Sequence, residues 1–231
     1  MAITFHILRA SGVLTGALGD RVEAVLAKTA EACSRRLILA DVDVVVMQAP
    51  ENVIPRIGVN GFAYDAHQVT LQLDVEHAHL KSNFEPALRS VLAHELHHCA
   101  RSLARGSSHS QTYGASLVAE GLACCFEEEM GLSTPFYAVE CRGDALRRFA
   151  ARACEHVGTS RWELPGNPND WMFGRSSDDP EFPYQCGYST GYALVRDWLD
   201  RTGALPSEVA GVDEMEVLRG WTRGLSDPFA G

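Results

Sequence analysis

Six residues, Ala93-His94-Glu95-Leu96-His97-His98, decide how the rest of this 231-residue chain is read. His94, Glu95 and His98 are the fixed members of the pattern H-E-x-x-H. On a helix, residues four apart share a face, so both imidazoles reach one ion. Glu95 stands about 100° round the helix, off the ligating direction but able to approach a water beside that ion. Leu92, Leu96, Cys99 and Leu103 form a separate apolar stripe, roughly 140° from the histidines. The spacing therefore predicts a helix, about Glu85 to Leu103, that anchors in a core while its histidines face a cleft.

The pattern needs support, because shuffling a chain with 9 histidines reproduces it in about 2–3 % of arrangements. A catalytic zinc site has three protein ligands and an open position for water. Glu120 is the best third ligand. It is the only charged residue or histidine from Gln111 through Phe126, set among Ala115, Leu117, Val118, Ala119, Leu122, Ala123 and Phe126. A carboxylate on so apolar a segment is costly to bury without a cation or strong donors. Its partner is either a metal or an arginine such as Arg101, and the upstream motif favours the metal.

Composition narrows the remaining choices. With 20 Lys+Arg against 30 Asp+Glu the formal net charge is -10, which argues against nucleic acid or an anionic membrane as partner. No apolar run approaches the ~20 residues needed to cross a bilayer. The opening Met-Ala-Ile-Thr-Phe-His-Ile-Leu-Arg has no charged leader before an apolar segment, so a cytoplasmic location is expected. Seven cysteines with no C-x-x-C spacing point to buried hydrophobes, not a disulfide framework or a cysteine-built zinc knuckle. No motif sets the oligomeric state.

One domain over 1–231 is expected, since no repeat or charge block divides the chain. Gly16 to Asp20 reads as a turn, followed by an amphipathic helix ending near Arg35-Arg36. Asp41 to Gln48 reads as a strand, and Gly58 to Gly61 as a turn or bulge. Val69 to Val75 alternates with the period of a half-buried strand. Helices are expected over Thr112 to Met130, Phe136 to Val157 and Thr190 to Thr202. Between the last two lies a Gly/Pro/Asn/Asp-rich connection, 158–187, long enough to be functional. Strands first (about 38–76) and helices later (about 84–222) give an α+β class, a small N-terminal sheet packed on a mostly helical part.

These residues resemble a known group of enzymes. His94-Glu95-x-x-His98, followed after 21 residues by Glu120-Gly121, is similar to the gluzincin metallopeptidases, which include thermolysin and aminopeptidase N. A narrower likeness rests on Ala93 to His98 with Arg101, Ala119-Glu120-Gly121-Leu122-Ala123, Trp171-Met172-Phe173-Gly174 and Gly187-Tyr188-Ser189-Thr190-Gly191-Tyr192. Together these resemble a family of predicted zinc-dependent proteases catalogued as a domain of unknown function, over roughly Ile57 to Leu199. The resemblance implies a zincin-like fold, one Zn²⁺ held by His94, His98 and Glu120, and Glu95 as general base. Thermolysin-like enzymes place an aspartate four residues past the third ligand. Here Cys124 stands there, leaving Glu127, Glu128 or a backbone carbonyl to orient His94.

The expected chemistry is hydrolysis of a peptide or protein substrate by metal-activated water, with Glu95 taking the proton and passing it to the leaving amine. Tyr188 is the first candidate to support the oxyanion and Tyr192 the second, each against a packing role. Arg101 either ties down Glu120 or the long connection, or is solvated. The strand Val69 to Val75 is either a sheet edge over the cleft, to which a substrate adds, or a plain structural strand. His97 points away from the ligand pair, and His77, His79 and His109 read as surface or loop histidines. The rivals are a non-catalytic zinc-binding protein, its coordination closed by His97, His109 or a cysteine, and a partner-binding regulator on a zincin scaffold.

Overall fold

The computed structural model describes residues 1–106, 112–222 and 228–229. These fall into two compact units: residues 1–106 with 130–132, and residues 112–129 with 133–222 and 228–229.

The first unit is built on a sheet. In chain order it runs β1 (Ile3–Ile7), α1 (Gly16–Ser34), β2 (Val42–Gln48), β3 (Val59–Ala63), β4 (Gln68–Leu73), α2 (Ala78–Ser82) and α3 (Phe84–Arg105). The strand order is β1-β2-β4-β3; β1, β2 and β4 are parallel, and β3 runs antiparallel to β4 at the edge. Period-2 alternation explains the layer. Val42, Val44 and Val46 of β2 and Val69, Leu71 and Leu73 of β4 all turn into the core. Helix α3 packs against β3 and β4, and α1 against α3 and β1. Each such buried Val or Leu contributes about 1.5–3 kcal/mol relative to exposure.

Several expectations are corrected in this unit. β1, starting at residue 3, lies outside the expected β-rich range; its cue is the alternation of Ile3, Phe5 and Ile7. Gly16 to Asp20 is the first turn of α1, not a separate turn. The stretch 58–61 leads into β3, and β4 lies inside the sheet, so the edge beside it is β3 and not Val69 to Val75. The apolar stripe of α3 runs from Leu88 through Leu92 and Leu96 to Cys99, while Leu103 is 43 % exposed.

The second unit is helical: α4 (Tyr113–Glu129), α5 (Phe136–Val139), α6 (Gly143–Cys154), α7 (Asp170–Phe173), α8 (Cys186–Thr202) and α9 (Glu214–Thr222). Helices α4 and α8 meet backbone to backbone. A methyl carbon on Gly121 would lie 2.2 Å from the Gly191 carbonyl oxygen, and one on Gly191 would lie 2.2 Å from that of Leu117. Only glycine permits this approach. The expected single helix 136–157 is two, because Arg142 is extended and Gly143 has φ +58°, while the Cys141 N–H donates to Ser189 Oγ at 3.1 Å. Helix α8 begins at Cys186, four residues before the expected start.

The long connection 158–187 is fastened to this unit's core. Trp171 is buried, its carbonyl accepts from Tyr113 Oη at 2.9 Å, and its indole N–H donates to Pro165 O at 2.9 Å. The Arg152 guanidinium lies over the rings of Phe149, Trp171 and Phe182, 4.3–5.5 Å from their centroids, and donates to Glu181 O. The described chain is thus α+β, with a small four-stranded sheet and a mostly helical remainder. Among the described residues, no helix is long and apolar enough to cross a membrane.

Candidate metal centre

Helix α3 carries its histidines because the Leu88–Leu92–Leu96–Cys99 stripe seats it against the core and Gly106 stops it. Gly106 takes φ +79° and donates its N–H to Ser102 O at 2.8 Å, a left-handed C-terminal cap. One turn apart, His94 and His98 meet edge to face, with ring centroids 4.8 Å apart at 74°. A ring nitrogen of each lies within 4.8 Å of the other, and both side chains are buried. The two imidazoles therefore share one face of this helix.

Glu95 is buried as well, at 6 % exposed. Its Oε2 accepts a hydrogen bond from the Ala63 N–H of β3 at 2.8 Å. A methyl carbon on Gly61 would stand 2.6 Å from Glu95 Cγ. Nothing in the sequence reading assigned Gly61 or Ala63 to this neighbourhood; the available cue was a glycine among apolar residues just ahead of a strand.

The surrounding candidates divide cleanly. Arg101 is 1 % exposed, which removes the solvated alternative. His97 is fully buried in α3. His77 caps α2, accepting from the His79 N–H at 3.2 Å, and its Nε2 lies 2.9 Å from Pro55 O; His79 is exposed. Both are ordinary loop and helix-end residues, and His109 lies outside the described residues. Burial pushes the Cys99 thiol up to about 12, with Glu95 and Asp65 adding to the effect. Burial likewise raises Cys124 well above the thiol range, and none of the described cysteines forms a disulfide. Most are buried fillers, as their composition suggested.

In the second unit, every residue of α4 from Tyr113 to Glu127 is buried except Glu120, which is half-buried. Over that span the helix opens at one position, and that position is a carboxylate. Two turns on, Glu127 is fully buried and accepts from Tyr137 Oη at 2.9 Å. Burial first, then the Glu127 charge, holds the Tyr137 hydroxyl protonated well above its usual range. The seven-residue interval from Glu120 to Glu127 was the cue for a shared helix face.

The two tyrosines of α8 differ. Tyr192 donates its hydroxyl to Glu128 Oε1 at 2.8 Å; Glu128 also accepts from Thr134 and lies 3.6 Å from Arg196. Its proton is thereby committed, which weakens its candidacy as an oxyanion donor. Tyr188 instead packs by its ring, edge to face on Tyr137 at 5.0 Å and tilted on Phe173 at 5.8 Å.

A mixed α+β chain with candidate His/Glu ligand groups is a candidate metalloprotein. Residues 22–219 match the family DUF2268, described as a predicted Zn-dependent protease, and the chain belongs to that family. No curated protein and no solved structure matches it.

Proposed function

We propose that this protein is a zinc-dependent peptidase in which His94, His98 and Glu120 hold a single Zn²⁺ and Glu95 moves the proton. The observation that carries the reading is the first unit's arrangement: two adjacent buried imidazoles one turn apart, with a buried carboxylate on the next residue. The donor set fits the ion, since two imidazoles and a carboxylate form a known catalytic zinc ligand set. Bound there, zinc supplies a Lewis acid that acidifies water and polarises a carbonyl.

Glu95 accepts the proton of the attacking water and delivers it to the departing amine nitrogen. The short stretch of β3 edge around Gly61 offers backbone groups to an extended peptide, in the manner of an added strand. Tyr188 supplies the hydroxyl for the oxyanion. Glu127, Glu128 or a backbone carbonyl orients His94. The zincin-like form of the α+β fold over 1–231, a peptide or protein substrate without nucleic-acid or membrane partners, and a cytoplasmic location belong to the same proposal.

The test combines metal analysis with Glu95→Gln. Purified protein should carry one zinc per chain and cleave members of a mixed peptide library. The variant should keep the zinc and lose cleavage by about 10²–10⁴-fold. Cleavage that survives chelation sinks the mechanism, while a zinc-loaded wild type that cleaves nothing favours the non-catalytic or regulatory reading. Tyr188→Phe keeps the ring packing, so an oxyanion role predicts a kcat loss of about 10²–10³-fold with KM little changed. A packing role predicts no change.

A further inference from the structure

Strand β3 pairs with β4 by strict alternation. The Tyr64 N–H donates to Gln68 O and the Asp74 N–H to Gly58 O, both at 2.9 Å. Even-numbered residues of β3 therefore turn their backbone groups toward β4, and Val59, Gly61 and Ala63 turn theirs to the open edge. On that edge the Val59 carbonyl accepts from the Ile54 N–H at 3.3 Å, and the Ala63 N–H donates to Glu95 Oε2 at 2.8 Å. Next along the same edge is a residue with no side chain. A methyl carbon on Gly61 would stand 2.6 Å from Glu95 Cγ, 2.8 Å from its Oε1 and 2.7 Å from Val91 Cγ2.

We infer that Gly61 and Ala63 are positioning residues for Glu95. Gly61 admits the carboxylate against the strand, and the Ala63 N–H fixes Oε2. A glutamate has three side-chain torsions, and proton transfer requires one orientation of its carboxylate. The edge strand selects that orientation before substrate arrives. The catalytic consequence rests on Glu95 being the proton acceptor; the seat itself does not.

Two readouts separate these layers. The first is a stability cycle of Gly61→Ala with Glu95→Ala, all four proteins also carrying Val91→Ala so that Glu95 is the remaining obstacle. Gly61→Ala should lower Tm by about 5 °C with Glu95 present and by less than half as much without it. Equal drops in both backgrounds overturn the seat, whatever the protein's activity. The second readout uses Gly61→Ala and Ala63→Pro on the otherwise natural chain. Ala63→Pro removes an N–H that faces away from β4, so the ladder survives. Each should lower kcat about 10–100-fold, with KM within about twofold and zinc content unchanged. Unchanged kcat in both variants, or a parallel rise in KM, overturns the positioning role. A wild type that cleaves no peptide ends the peptidase reading, and the Tm cycle still decides the seat.

Discussion

Strands β3 and β4 lie side by side and are composed very differently. β4 is Gln68-Val69-Thr70-Leu71-Gln72-Leu73, β-branched or bulky at nearly every core position and paired on both sides. β3 is Val59-Asn60-Gly61-Phe62-Ala63, with two poor strand formers at its centre and a neighbour on one side only. The strand that serves packing keeps strand-like residues. The strand that must meet a carboxylate from a helix gives up propensity at the point of meeting, and its neighbour's ladder holds it extended instead.

That contrast can be broken by stability measurements. Leu71→Ala empties a fully buried site in β4; denaturation should show a loss of about 3 kcal/mol, with cleavage per folded molecule unchanged. On β3, Phe62 is 42 % exposed and meets Tyr64 edge to face at 4.8 Å. Phe62→Ala should therefore cost only about 1 kcal/mol by the same measurement. A loss as large as that of Leu71→Ala would make β3 a packing strand after all. The smallest effect sharpens the picture of β4: Thr70 Oγ1 is buried without a hydrogen-bond partner among the described residues. Thr70→Val should be neutral or stabilising by up to about 1 kcal/mol, read as a small rise in Tm.

Legibility followed the same division. Elements whose residues serve one purpose could be read directly: the valines of β2, the Val69–Leu71–Leu73 alternation of β4, the stripe of α3 and the apolar run of α4. The paired histidines needed only helical geometry. Elements shaped by distant partners could not. Gly61 looked like punctuation because its cause, Glu95, lies 34 positions further along the chain. The break at 140–143 depends on Ser189 receiving the Cys141 N–H, a contact no local window contains. Trp171 and Phe182 made the 158–187 segment part of a core although its composition reads as open loop. Tyr192 stood second to Tyr188 in the sequence, and that Glu128 holds its hydroxyl is a contact no local window contains.

The border of β3 has one more consequence. A bare strand flank invites identical chains to dock edgewise and stack. Here Ile54 covers the carbonyl of Val59 and Glu95 covers the amide of Ala63, so any uncapped stretch is short, centred on Gly61. The Glu95 carboxylate thus shields the molecule from its own copies, and Glu95→Ala should raise the propensity to aggregate.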